Sequence, residues 1–480
     1  MPNTQRIDRI IAEAEEQFNS RHLTGTAYDD DEYWGPDSDF NPYDGIENED
    51  FEDLDDLDTI FGARKQERKI KWMHQRIDWD YHWRMLVHTG EFQSRFRMSE
   101  DSFLALLDVL RDSLTVSIKH SMSSTGGNDP IYPEIILACG LRFLGLGEDP
   151  PALADIYGMS VSSVKRVLRM FLNAIDYNTT CPELQLVLPN PNNEAELDAL
   201  AKEWDQASTS LGLLYGFLGA IDGWLPRTEA PKDVDNQAAY FSGHYQCYGL
   251  NCQALCDPDL LFMYFCVAAP GKTNDSRAFD RCTFLKDWLA RLPDGYFVGG
   301  DCAYILTKKL VTPYTAAEIG GVERKRILNY YISQLRIRIE MAFGLLTTKW
   351  RRLRAMLNFA NTKNSQIIRV CTKLHNYCIR MGLKEGTYER PIVSGDVDDL
   401  DDIDPAAFGI DPIDSGGNRK SKWGYLETWP GDDGICYSTL VPPDTALRER
   451  LFAEVCGRGV VRPVHNRRRN NSVDEDEDEM

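Results

Sequence analysis

Apolar residues recur along this chain with two different periods, and the change between them divides it. From about Ala63 the spacing is helical: ARKQERKIKWMHQRIDWDYHWRMLVHTG predicts a helical stretch that is basic at its start. MSEDSFLALLDVLRDSL predicts an amphipathic helix, with Ser99 placed to cap it. Between Tyr132 and Ile175 the pattern gives three helices. PEIILACGLRFLGLG is opened by Pro133, PPALADIYG is ended by Gly158, and VSSVKRVLRMFLNAI is capped by Ser160. Short helix, glycine turn and longer helix is the helix-turn-helix pattern, and Lys165, Arg166 and Arg169 on the second helix are candidate DNA contacts. The same arrangement also serves as a plain packing motif. LPNPNNEAE then leads into a polar helix from Glu194 to Ser208.

Farther on, the pattern alternates between strand and helix. FLGAID, YGLNCQALCD and LLFMYFCVAA are short apolar strands bounded by Gly, Pro or Asp. DSRAFDRCTFLKDWLARL has helical period, and YFVGGD is a fourth strand. After a loop containing Pro313, a long helix runs from about Arg324 to Lys349, and a second continues through His375. This is the element order of a ribonuclease-H-like domain. The fold class expected is α/β: a mixed sheet flanked by helices, preceded by an all-helical helix-turn-helix region, with disordered acidic termini. The boundaries expected are an acidic, largely disordered region at 1–60, a helical region at 61–180, the α/β domain at 210–382, and an acidic, mostly disordered tail at 383–480. Within that tail TALRERLFAEV predicts one short helix.

Charge adds a location. The net charge of −22 is unevenly spread: 29–58 holds fifteen Asp or Glu and no Lys or Arg, and further acidic runs lie at 396–404 and in the closing VDEDEDEM. Residues 323–382 hold thirteen Lys or Arg against only Glu323 and Glu340, a candidate phosphate-binding surface or else a solvated helix face. No run of eighteen apolar residues occurs, so no membrane span is expected, and the first residues lack the apolar core of a secretory signal. Twelve scattered Cys read as reduced thiols of a cytosolic or nuclear protein. Cys252 and Cys256 have knuckle-like spacing but no matching second pair.

Candidate chemistry rests on acids. Phosphodiester cleavage with two divalent ions ~4 Å apart needs carboxylates held on strand ends and a facing helix. Asp222 in GAIDGW and Asp301 in VGGDCAY sit at strand ends, and Glu340 in RIRIEMAFG lies inside the long helix. On the face of Ile337, Met341 and Leu345, an unpaired carboxylate is costly; a bound cation or a salt bridge to Arg336 would relieve it. Asp275 in PGKTNDSRAF is either a fourth ligand or a helix N-cap. There is no GxSxG and no Walker loop, and the Cys and His of HNYC lack an orienting third group. His375 reads as a core or hydrogen-bonding residue.

IDGW, YFSGHYQCYGLNCQALCD, PGKTNDSRAF, GDCAYILTKKLVTPY, the run from Asn329 to Leu353 ending in IEMAFGLLTTKWRRL, and LHNYC together resemble the DDE-type endonuclease domain of PIF/Harbinger transposases and their domesticated relatives. The resemblance covers about 217–378, and 132–175 resembles the helix-turn-helix region preceding that domain. It implies a catalytic triad of Asp222, Asp301 and Glu340, with Asp275 joining them around two Mg²⁺ or Mn²⁺ ions. It matches Arg336 to the motif arginine and Lys349, Arg351, Arg352 and Arg354 to its basic continuation, expected to bind DNA. It further implies double-stranded DNA as substrate (transposon ends and target), a Myb-like partner protein and a nuclear location, with shuttling from the cytoplasm and a homo-oligomer left open. RKQERKIK (64–71) and RPVHNRRR (462–469) are candidate import signals. The family often has a polar residue soon after IDG, where this chain has Trp224 and Leu225. Two other readings remain: a catalytically silent DNA-binding or scaffold protein on the same fold, and a different nuclease of the ribonuclease-H type.

Overall fold

The computed structural model describes residues 75–117, 130–232, 234–389 and 444–461. The expectations for 1–60, both basic stretches and the acidic run at 396–404 lie outside those residues.

Helices come first. α1 (Trp79–His88) starts where Asp78 accepts from the Tyr81 amide, and α2 (Phe92–Phe96) follows. α3 (Glu100–Leu114) begins at Ser99, whose hydroxyl accepts from the Ser102 amide at 3.1 Å. Trp79, Trp83, Phe92, Phe96 and Phe103 pack largely edge-on between these three helices. α4 (Pro133–Gly145) is buried throughout from Ile135 onward, which explains why its sequence is apolar on all sides. α5 (Pro150–Tyr157) ends at Gly158, whose φ of +59° and close approach to the Gln75 carbonyl exclude a side chain. α6 (Val161–Asp176) is capped by Ser160, and α7 (Glu194–Gln206) by Asn193.

The central sheet is mixed. Its strands are β1 (Phe217–Trp224), β4 (Leu250–Cys256), β5 (Phe262–Pro270), β6 (Phe297–Gly299) and β7 (Leu310–Val311), in the order β5-β4-β1-β6-β7. β1, β4 and β5 pair antiparallel, while β6 and β7 run parallel to β1. β2 (Phe241–Ser242) and β3 (Cys247–Tyr248) form a separate small hairpin. α8 (Asp275–Asp280) and α9 (Thr283–Arg291) follow β5, and α10 (Ala316–Ile319) follows β7. α11 (Glu323–Lys349) and α12 (Asn361–Glu385) are the two long helices, and α13 (Ala446–Arg458) is the last.

Three details differ from the pattern-based expectation. The single helical period over DSRAFDRCTFLKDWLARL is broken at Cys282, whose backbone is non-helical (φ −80°, ψ 63°), so two helices form. β7 falls in the expected loop, because two residues are too few to show alternation. The short helix of TALRERLFAEV extends to Arg458 and buries Leu447, Leu451 and Val455.

One apolar cluster joins α3, α4 and α6 to α11, α12 and the face of β1 that carries Phe217 and Ala220. A second fills the other face with Leu218, Ile221, Leu285, Trp288 and Leu289. The helical segment is therefore sealed onto the sheet through α12. There Arg369 forms an ion pair with Asp176 at 2.7 Å, and Gln366 donates to Asn173 at 2.8 Å. No helix among the described residues is long and apolar enough to cross a membrane.

Candidate active site

Parallel pairing brings the first two acids together. Ala220 of β1 is in register with Gly299 of β6, so two residues farther on Asp222 and Asp301 leave the same edge of the sheet side by side. Asp222 shares its strand face with Ala220, the face on which α11 packs. From α11, Arg336 reaches Asp222 Oδ2 at 3.6 Å and Glu340 Oε1 at 2.5 Å. All three side chains are less than a fifth exposed. Glu340 Oε2 is buried with no hydrogen-bond partner among the described residues.

Asp275 arrives from the far side. Its Oδ1 accepts from Asn251 Nδ2 at 2.9 Å and from Gln253 Nε2 at 3.2 Å, both on β4. Gln253 Oε1 in turn accepts from the Tyr304 hydroxyl at 2.6 Å. A buried chain thus links the Asp275 carboxylate to the segment just after Asp301. Gly223 makes the approach possible, since a Cβ there would lie 2.0 Å from Asp275 Oδ1. Asp275 is not the helix N-cap: Asn274 fills that role, accepting from the Arg277 amide at 3.0 Å, which frees Asp275 to face the sheet.

The electrostatics follow from this crowding. Burial, then the neighbouring Asp301, pushes the Asp222 carboxyl well above the usual carboxylate range, against the pull of Arg336. Asp301 and Glu340 are also raised, chiefly by burial, and Arg336 again opposes the shift. Arg336 meets Asp222 and Glu340 directly and feels the charge of Asp301, while Asp275 is held on β4 by Asn251 and Gln253. Among the described residues no group of three or more His, Cys, Asp or Glu stands ready to hold a metal ion. The donor set itself, carboxylate oxygens with one of them buried and without a hydrogen-bond partner among the described residues, has the chemistry of a site for a small hard cation.

Two residues expected to bind DNA, Arg336 and Arg352, are engaged by protein groups. Arg336 is spent on Asp222 and Glu340. Arg352 is buried, pairs with Asp149 at 2.9 Å, and lies over the rings of Phe143 and Phe359. Its charge clamps the helical segment to the end of α11 instead of facing solvent. Lys349 is half-buried and acts on the buried Cys378 thiol. Arg351 is half-buried, and Arg354 is exposed, bonding the Thr347 carbonyl and the Thr348 hydroxyl. On α6, Arg166 is exposed while Lys165 and Arg169 are half-buried.

Trp224 stacks on Phe343 of α11, with centroids 5.7 Å apart, so the residue after IDG serves packing behind the acids. His375 is a buried core residue 2.8 Å from the Leu260 carbonyl, its pKa driven down to about 3 by burial. Cys252 and Cys256 are buried free thiols on β4. Asn251, Gln253 and Tyr304 were not singled out from sequence. For Asn251 and Gln253 the signal was polarity inside an apolar run, where a buried amide must find partners.

The stretch that carries these acids also matches a known protein family. Residues 221–376 match the family described as DDE superfamily endonuclease, a superfamily that generally uses divalent metal ions. Over 326 residues the chain is 22% identical to "Protein ALP1-like" of Arabidopsis thaliana, covering 64% of this chain and 76% of that one. Over 256 residues it is 24% identical to "Putative nuclease HARBI1" of Bos taurus and of Homo sapiens, covering 53% of this chain and 69% of each. Residues 221–376 thus carry the match to a DDE superfamily endonuclease domain, and the chain is homologous to the ALP1-like and HARBI1 proteins. No solved structure matches it.

Proposed function

We propose that the protein cuts and joins DNA strands at a metal-dependent site built from Asp222, Asp301 and Glu340, with Asp275 in support, on a ribonuclease-H-like sheet. What supports this reading is a buried Asp222 within the electrostatic reach of Asp301, Glu340 and Asp275, beside a Glu340 oxygen that has no hydrogen-bond partner among the described residues. Two divalent cations, Mg²⁺ or Mn²⁺, would supply water activation and charge neutralisation there.

The chain's own groups prepare the rest. Asn251 and Gln253 fix the Asp275 carboxylate, and the Tyr304 hydroxyl locks Gln253. Arg336 holds Glu340 in place and offsets the repulsion among acids that would otherwise share protons. In cleavage, water attacks the phosphorus and the bond to the 3′-oxygen breaks, leaving a 3′-hydroxyl and a 5′-phosphate. In joining, that 3′-hydroxyl attacks a target phosphorus by the same in-line displacement. Arg166, Lys165 and Arg169 on α6, with Arg351 and Arg354 after α11, are the remaining candidates for the DNA backbone, supplying affinity and salt dependence.

The substrate proposed is double-stranded DNA, at element ends and target, which makes the nucleus the place of action. A Myb-like DNA-binding partner and self-association complete the reading; co-purification and sedimentation test them. The decisive experiment incubates purified protein with labelled element ends and Mg²⁺, Mn²⁺ or EDTA. Asp222→Asn is expected to abolish strand cleavage and leave DNA binding within about threefold, since an acid that acts only in the transition state contributes little to ground-state affinity. Cleavage by the Asn variant at the parent rate would refute the assignment.

One observation favours a second reading, a catalytically silent DNA-binding protein. Arg336 already bridges Asp222 and Glu340. If parent protein binds the ends but never cuts them with either metal, that reading replaces the first.

A further inference from the structure

We infer that α13, which lies beyond the matched endonuclease stretch, is part of the active-site scaffold, and that Arg448 is a positioning residue for the segment following Asp301. The activity arm of this inference rests on the nuclease reading; its structural arm does not.

The helix is anchored along its length to elements that carry the acids. Leu447, Leu451 and Val455 recur at helical spacing and are buried, and α13 packs on α11, the helix of Glu340. Polar contacts fix its register. The Asp444 amide donates to the Leu306 carbonyl at 3.1 Å, and the Tyr314 hydroxyl donates to Glu449 at 3.1 Å. Arg324 donates to the Cys456 carbonyl at 2.6 Å, and the Tyr331 hydroxyl to the Val461 carbonyl at 2.9 Å. Two of these four bonds fall on the stretch between Asp301 and α10.

That stretch needs holding. Asp301 lies two residues past β6, and the chain then makes only the two-residue strand β7 before reaching α10. At its start Tyr304 is tied to Gln253. At its end Asn329 of α11 takes both backbone groups of Tyr314, at 2.7 and 2.8 Å. Arg448 closes the remaining gap. Buried, it donates to the Pro313 carbonyl at 3.3 Å, pairs with Glu318 at 2.5 Å, and lies 4.1 Å from the centroid of the Tyr314 ring. The same Pro313 carbonyl is 3.8 Å from the thiol of Cys302, the residue after Asp301. A buried ion pair contributes little net stability once desolvation is counted, so its value here is geometric. One guanidinium fixes a carbonyl, a carboxylate and a ring at once, which an ammonium cannot do.

The test uses the full-length chain, its Arg448→Met and Arg448→Lys variants, and the milder Glu318→Gln. Hydrogen–deuterium exchange is read over 302–314 together with cleavage of labelled DNA ends at saturating DNA. Arg448→Met is expected to speed exchange at 302–314 by about tenfold while amides of α4 and α12 keep their protection. Its turnover is expected to fall roughly tenfold to a hundredfold with DNA affinity within about twofold, as expected when an acid is displaced by an ångström. Arg448→Lys and Glu318→Gln should fall between Met and parent on both readouts. Unchanged exchange at 302–314 in Arg448→Met overturns the inference. Should that variant fail to fold, Glu318→Gln decides: faster exchange at 302–314 supports it, and parent-like exchange overturns it. A parent protein that binds but does not cut sinks the nuclease reading alone, and the exchange arm still decides the role of α13.

Discussion

Asp275 and Gly223 show how closely one residue's chemistry depends on another's shape. In sequence, Asp275 could equally be a cap or a ligand. Its role is decided by Asn274, which caps α8, and by the missing Cβ of Gly223, which leaves room for the carboxylate against the sheet. Gly223→Ala therefore cannot be neutral. The added methyl must displace either the carboxylate or β1, which costs about 1–3 kcal/mol of stability as overpacking. Under the nuclease reading it also lowers turnover by roughly a hundredfold. Urea unfolding and the cleavage assay measure the two effects; a fully stable, fully active Gly223→Ala protein would show that Asp275 has no fixed place in the site. Arg336 was legible only as an alternative to metal for Glu340, because period placed it one turn from Glu340 but could not show Asp222 beside both.

Whole elements position these residues. α12 closes the outer edge of the sheet, where β5 has no further strand to pair with among the described residues. Asn376 substitutes for the missing strand: its Oδ1 accepts from the Phe262 amide at 2.9 Å and its Nδ2 donates to the Phe262 carbonyl at 2.8 Å. Both groups are buried, so Asn376→Ala leaves them unsatisfied and is expected to cost roughly 2–3 kcal/mol. Chemical denaturation should report the loss, and a Gln, one methylene too long, should not repair it. A midpoint unchanged by Asn376→Ala would mean that water replaces the amide there. From sequence, LHNYC suggested a Cys and His pair and found no third group. The Asn between them is the residue whose contacts the fold explains.

Across the molecule, the helical segment and the sheet share one apolar cluster, cross-linked by Arg369 with Asp176 and Arg352 with Asp149. Separate cores would unfold separately, whereas a shared core couples them. Guanidinium unfolding followed by far-UV circular dichroism and by tryptophan fluorescence is expected to give coincident transitions. Trp79 and Trp83 report on the helical segment and Trp288 on the far face of the sheet. Two resolved steps would mean that α12 does not join them.

By itself, the sequence determined the local structure: helix caps at Ser99, Ser160 and Gly158, the strand and helix periods, the order of elements, and which acids fall at strand ends. These properties depend on neighbours a few residues away, and period and capping chemistry report such neighbours directly. Tertiary structure alone decided which charges face one another. Arg336 and Arg352 sit in a basic stretch that reads as a surface, yet they turn to Asp222 and Asp149, each more than a hundred residues distant. Formal charge shows where a cation lies along the chain; only packing shows whether a carboxylate, an aromatic ring or solvent meets it.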